Sequence, residues 1–167
     1  MTISRYPCTL KQFLLLRQIG QVEVGMSRED VLKLWGKPTY VPPWYGDDFM
    51  KVHQWNYEAL VMMWAPYDDK LDSMRLYLID GEVKLPPALQ KMGYFPTEKS
   101  DSSEFIDYLK FEGLGFRKEV AEAFDPDYGY DYMIYLLLES GAKVCFTSTD
   151  DEEELRHIVV KRLSHEK

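Results

Sequence analysis

Residues able to do chemistry are few in this chain of 167, and they are widely spaced. The two cysteines, Cys8 and Cys145, and the three histidines, His53, His157 and His165, form no local cluster. A zinc site draws its ligands from closely spaced pairs, and no such pair is present. Cys145 and His157 fall on neighbouring predicted strands, so a thiol–imidazole nucleophile pair can be drawn there. Cys145 lies between Val144 and Phe146 in an apolar strand, however, where an inert buried thiol is the expectation. The run Asp125-Pro126-Asp127-Tyr128-Gly129-Tyr130-Asp131 invites calcium. A calcium loop starting at Asp125 needs Gly where Tyr130 stands and Glu where Leu136 stands, so the run reads as a turn with solvated carboxylates. Glycine-rich phosphate loops, nucleophile elbows and His-Glu-x-x-His are absent from the sequence. The expectation is a protein that is not an enzyme and uses no metal or cofactor.

What remains is a surface. Aromatic residues make up 14% of the chain, with 12 Tyr and 4 Trp. Tyr and Trp join apolar area to a polar tip and are enriched at protein interfaces. Alternation with a period of two puts His53, Trp55 and Tyr57 on one side of a strand over 52–57. On a strand over 73–79, Arg75 and Tyr77 oppose Met74, Leu76 and Leu78, and Tyr135 takes the same part later in the chain. A sheet face of Trp, Tyr, Arg and His has the composition of a binding hot spot. The competing expectation is that these rings pack beneath the Pro-rich loops at 37–50 and 84–96.

Strands that carry such a face need partners and a covering layer. Thr9 to Gly20 reads as a helix: Thr9 and Gln12 form a capping box, Leu10, Phe13, Leu14 and Arg17 share a side, and Gly20 suits the stop. Residues 24–38, VGMSREDVLKLWGKP, give the clearest local signal. Ser27 caps, Asp30 returns the bond, Met26 staples onto Val31, and Val31, Leu34 and Trp35 form the buried stripe before Gly36 and Pro38. Strands are predicted over 52–57, 59–65 and 73–79, with turns at Pro66–Lys70 and Asp80-Gly81. The second half repeats this order. Asp101 to Gly113 is a capped helix with Phe105, Ile106 and Leu109 buried, and strands follow at 132–139, 142–148 and 155–162, the first two joined by Glu139-Ser140-Gly141. Phe13-Leu14 matches Phe105-Ile106 at an offset of 92 residues, and Arg28, Asp30, Val31 and Trp35 match Arg117, Glu119, Val120 and Phe124 at 89. Residues 116–124 fit a helix and a strand equally well.

Composition sets the outer bounds. With 46% hydrophobic residues the chain can bury roughly 70% of its unfolded surface and fold without disulfides or metal. No apolar run approaches the ~20 residues that span a bilayer, and the first residues lack a signal-peptide core, so the expected compartment is cytoplasmic, without membrane. The net charge of −8 argues against nucleic acid. Lys plus Arg against Asp plus Glu is 11 against 11 over residues 1–92 and 9 against 17 over 93–167, much of the excess lying at 150–154. An acidic second half can steer a basic partner, or can simply be solvated.

The motif Gly25-Met26-Ser27, Val31, Gly36, Pro38 resembles the superfamily of the β-lactamase inhibitor protein and the small lipoprotein of the outer-membrane barrel-assembly machinery. Its unit is a helical pair on an antiparallel sheet, used twice in tandem by the inhibitor. The segments Trp55-Asn56-Tyr57-Glu58 and Leu136-Leu137-Leu138-Glu139-Ser140-Gly141 also look like uncharacterised bacterial immunity-like proteins. The resemblance implies an α+β fold of two tandem helix-helix-antiparallel-sheet units, 1–92 and 93–167, in a single two-layer domain. It implies a bacterial inhibitor or immunity-type function, binding a protein partner such as a basic toxin or enzyme domain. His53, Trp55, Tyr57, Arg75, Tyr77 and Tyr135 are the expected contact residues. The alternatives are a structural or regulatory module, or a small-molecule binder with a pocket between the units. The oligomeric state is open.

Overall fold

Three side-chain caps start the helices where the sequence places them. Thr9 accepts from the Gln12 amide at 3.1 Å and opens α1 (Leu10–Leu16). Ser27 accepts from the Asp30 amide at 3.2 Å and opens α2 (Arg28–Trp35). Asp101 accepts from the Glu104 amide at 2.8 Å and opens α3 (Ser102–Phe111). Each oxygen satisfies an amide that has no partner within its helix. The computed structural model describes residues 5–43, 48–122, 132–149 and 152–163, and among these there are three α-helices and eleven strands. No helix among them is long and apolar enough to cross a membrane.

Helix α1 stops earlier than expected. Arg17 turns left-handed at φ 54° and its amide bonds to Phe13, so Gly20 serves instead as the turn of a two-strand hairpin, β2 (Gln18–Ile19) with β3 (Val22–Glu23). A short parallel pair joins β1 (Tyr6–Cys8) to β7 (Leu89–Lys91), which lies within the Pro-rich segment at 84–96. The main sheet takes β4 (Gln54–Tyr57), β5 (Leu60–Trp64), β6 (Leu71–Leu76), β8 (Phe116–Glu122), β9 (Tyr132–Leu138), β10 (Lys143–Ser148) and β11 (Glu153–Lys161). Their order is β4-β5-β6-β11-β10-β9-β8, antiparallel throughout. A three-strand meander, β4 to β6, and a four-strand meander, β8 to β11, thus meet where β6 pairs with β11, Arg75 opposite Val159.

The expected pair of helix-helix-sheet units is not what forms. The molecule is mostly β, and residues 116–122, the proposed second helix of the second unit, are β8 along the edge of the sheet. Capping explains the difference. At the offset of 89 that relates the two segments, the counterpart of the Ser27 cap is Phe116, which cannot accept an amide hydrogen bond. Without a cap the segment's alternation prevails, and it pairs with β9 along its whole length. Residues 123–124 lie outside the described residues.

Among the described residues the helices cover one side of the sheet. The core joins Leu10, Phe13 and Leu14 of α1, Val31 of α2 and Phe105 and Leu109 of α3 to Trp55, Met62, Met74, Val144, Phe146, Ile158 and Val160. Leu34, expected in the buried stripe of α2, is 37% exposed, and the helix buries Arg28 instead, at 1%. The Arg28 guanidinium donates from Nε to Asp69 at 2.7 Å and from Nη1 to the Val52 carbonyl at 2.7 Å. It sits 5.3 Å from the Trp55 ring and 4.9 Å from the Trp64 ring. Removing it leaves the buried Val52 carbonyl unpaired and a void beside two indoles. Arg28→Ala is therefore expected to lower the stability by about 3 kcal/mol, with Asp69→Asn costing far less because Asp69 is mostly exposed. Urea denaturation of the two variants checks the order.

Candidate functional site

The residues predicted to form one docking surface are divided between the two sides of the sheet. Trp55 and Tyr57 are 0% and 2% exposed and lie in the core under the helices, so they line no open wall. Their polar tips are satisfied within the chain: Trp55 Nε1 donates to the Phe49 carbonyl and Tyr57 Oη to the Gly36 carbonyl, each at 2.7 Å. Trp35 of α2 meets Tyr57 edge-on at 5.3 Å, and Phe49 lies 5.6 Å from Trp55. Alternation does group these two residues, but it does not say which side the helices take; the helix layer claims the larger apolar area. His53 precedes β4, exposed, on the same side of the chain as Trp55.

The side free of helices carries the other predicted residues. Arg75 stands opposite Val61 on one neighbour and Val159 on the other, and Val159 stands opposite Lys143. In the next row Cys145 is paired with both His157 and Tyr135, and Tyr135 with Glu119. Tyr77 closes that row, its ring 6.1 Å from His157. Lys143 Nζ lies 4.3 Å from the Tyr135 ring centre, a cation–π contact. A register shift between Cys145 and Phe146 gives β11 one extra residue, Arg156, whose Nε donates to Thr147 at 2.8 Å. Arg75, Tyr77 and Tyr135 are thus brought together with two residues absent from the predicted set, His157 and Lys143. The same alternation, carried along β10 and β11, would have found both.

Among the described residues the two central cations of this face are unpaired. Arg75 and Lys143 have no carboxylate within ion-pair distance among the described residues, and the Arg75 Nε is buried without a hydrogen-bond partner there. Burial, then the charges of Arg75 and Lys143, hold the His157 imidazole below its ordinary value. Cys145, opposite it, is fully buried, and burial raises its thiol. Both shifts favour the neutral forms, the reverse of a thiolate–imidazolium couple. A groove of about 490 Å³ adjoins the patch, with Val61, Met63 and Ala59 beside Gln54, Asn56 and Arg75. It lies wholly over strands of the first half, not between the halves. No group of three or more His, Cys, Asp or Glu suited to a metal occurs among the described residues. The Asp125–Asp131 run and His165 lie outside them.

The acidic excess sits elsewhere. Asp101, Glu104 and Asp107 are exposed on the helix layer. Glu153, within the acidic run, accepts from the Ser102 amide at 2.7 Å and hydroxyl at 3.0 Å, which anchors it at the N-terminus of α3, where a negative charge is favourable. Asp150 and Asp151 lie outside the described residues. Comparison of the chain with protein-family models, with curated proteins and with solved structures finds no match.

Neutral His157 stabilises the fold above its unfolded value, and that contribution is lost as pH falls through the depressed folded value. Proton NMR is expected to give a His157 midpoint below 6.5. Lys143→Met should raise that midpoint by removing one cation, yet leave it depressed, because burial persists.

Proposed function

We propose that this chain is a non-catalytic bacterial binding protein of the inhibitor or immunity type, which docks a protein partner on the helix-free side of its sheet. The observation that carries this reading is the central patch: Tyr77, His157 and Tyr135 in one row, with Arg75 and Lys143 in the next and no carboxylate paired to either cation among the described residues. Tyr and Arg are the side chains most enriched at binding hot spots, and short rigid strands present them with little ordering cost. The charge of the patch selects an acidic surface on the partner. A basic partner, expected from the composition of the second half, would be drawn to the helix layer, where the exposed carboxylates of α3 stand.

Charge reversal separates these cases. Arg75→Glu with Lys143→Glu is expected to abolish capture of a partner from bacterial lysate and to weaken the purified partner by about a hundredfold, at roughly 1–3 kcal/mol per hot-spot residue. Tyr77→Ala should weaken it by about tenfold or more. Trp55→Ala, by contrast, should act through stability alone, lowering the denaturation midpoint by a cost of about 3–5 kcal/mol. Unchanged affinity in the charge-reversed protein would remove the proposed face.

A further inference from the structure

The two edges of the main sheet are treated differently. At β4, Tyr40 exchanges two backbone hydrogen bonds with Asn56, of 3.2 and 2.9 Å, and so covers part of that edge. Among the described residues nothing pairs with the outer side of β8. Arg117 to Glu122 are all exposed, and Val120 is 57% exposed although its register with Ile134 puts it on the helix side.

Register tells which backbone groups of β8 point outward. The Glu139 amide donates to the Gly115 carbonyl at 2.9 Å, continuing the β8–β9 ladder by one residue. Antiparallel pairs alternate between bonded and non-bonded, so Arg117, Glu119 and Ala121 bond inward to β9. Lys118, Val120 and Glu122 therefore present their N–H and C=O groups to the open edge. Lys118 and Glu122 have no ion-pair partner among the described residues.

We propose that β8 pairs antiparallel with β8 of a second copy of this chain, about a two-fold axis at Val120. Charge fixes the register. Centring on Val120 sets Lys118 opposite Glu122 twice, Val120 opposite Val120, and Glu119 opposite Ala121, with about six backbone hydrogen bonds. Centring on Glu119 instead sets two glutamates face to face in the closer, non-bonded pair, which is repulsive. The same charges guard a lone edge against unlike strands, since only a sequence with the complementary order neutralises them. This pairing leaves the helix-free faces of both copies uncovered and does not depend on the function proposed above.

Sedimentation velocity of the full chain across the micromolar range tests it. The wild-type protein is expected at twice the chain mass. Val120→Pro removes only an outward amide, which an edge strand tolerates, and is expected to halve the observed mass with the far-UV circular dichroism unchanged. Glu122→Lys should also give the monomer mass, by setting lysines opposite each other. Combining Lys118→Glu with Glu122→Lys should restore the dimer. A wild-type monomer throughout that range, or a dimer mass that neither single variant changes, would overturn the proposal, as would a wild-type monomer that captures a strand of another protein.

Discussion

A guanidinium packed against two indoles decides which side of the sheet is inside. Arg28 has almost no contact with water, and a charge in that position is tolerable only when its donors are occupied. Asp69 in the turn after β5 and the carbonyl of Val52 occupy them, while Trp55 and Trp64, edge-on to each other, both lie against the guanidinium. One side chain from the first turn of α2 thereby fixes that helix, the approach to β4 and the β5–β6 turn relative to each other. Once Trp55 and Trp64 point toward the helices, alternation sends Gln54, Asn56, Val61 and Met63 to the other side. The open face follows from that choice.

Charge is sorted along the same division. The helix layer shows the carboxylates of α3 to solvent, and the sheet's far side shows Arg75 and Lys143 around a half-buried histidine. The net value for the chain hides this separation. Glu153 belongs to neither surface in any simple way, because it is spent on the amide and hydroxyl of Ser102.

Local signals were legible in the sequence. Thr9, Ser27 and Asp101 cap the helices they were expected to cap, and Asp80-Gly81 turns with both residues at positive φ, 52° and 80°. The six predicted strands appear within a few residues of their expected spans, since each needs only alternation between turns. Three features were not legible, and each depends on contacts far apart in the chain. Residues 116–122 carry a pattern compatible with either state, and pairing with β9 settles it. Trp55 and Tyr57 look the same in sequence whether they face helices or solvent. Arg28 reads as a surface residue of a helix's first turn until Asp69, 41 positions later, is folded back onto it.

The strand order also governs how the chain comes together during synthesis. β11 follows every other strand of the main sheet in sequence and yet stands at its centre, between β6 and β10. Until it emerges, the two meanders have no common seam, and both β6 and β10 offer raw borders to any passing peptide. The middle of the structure is thus its keystone, and it is the last strand of the sheet to be made.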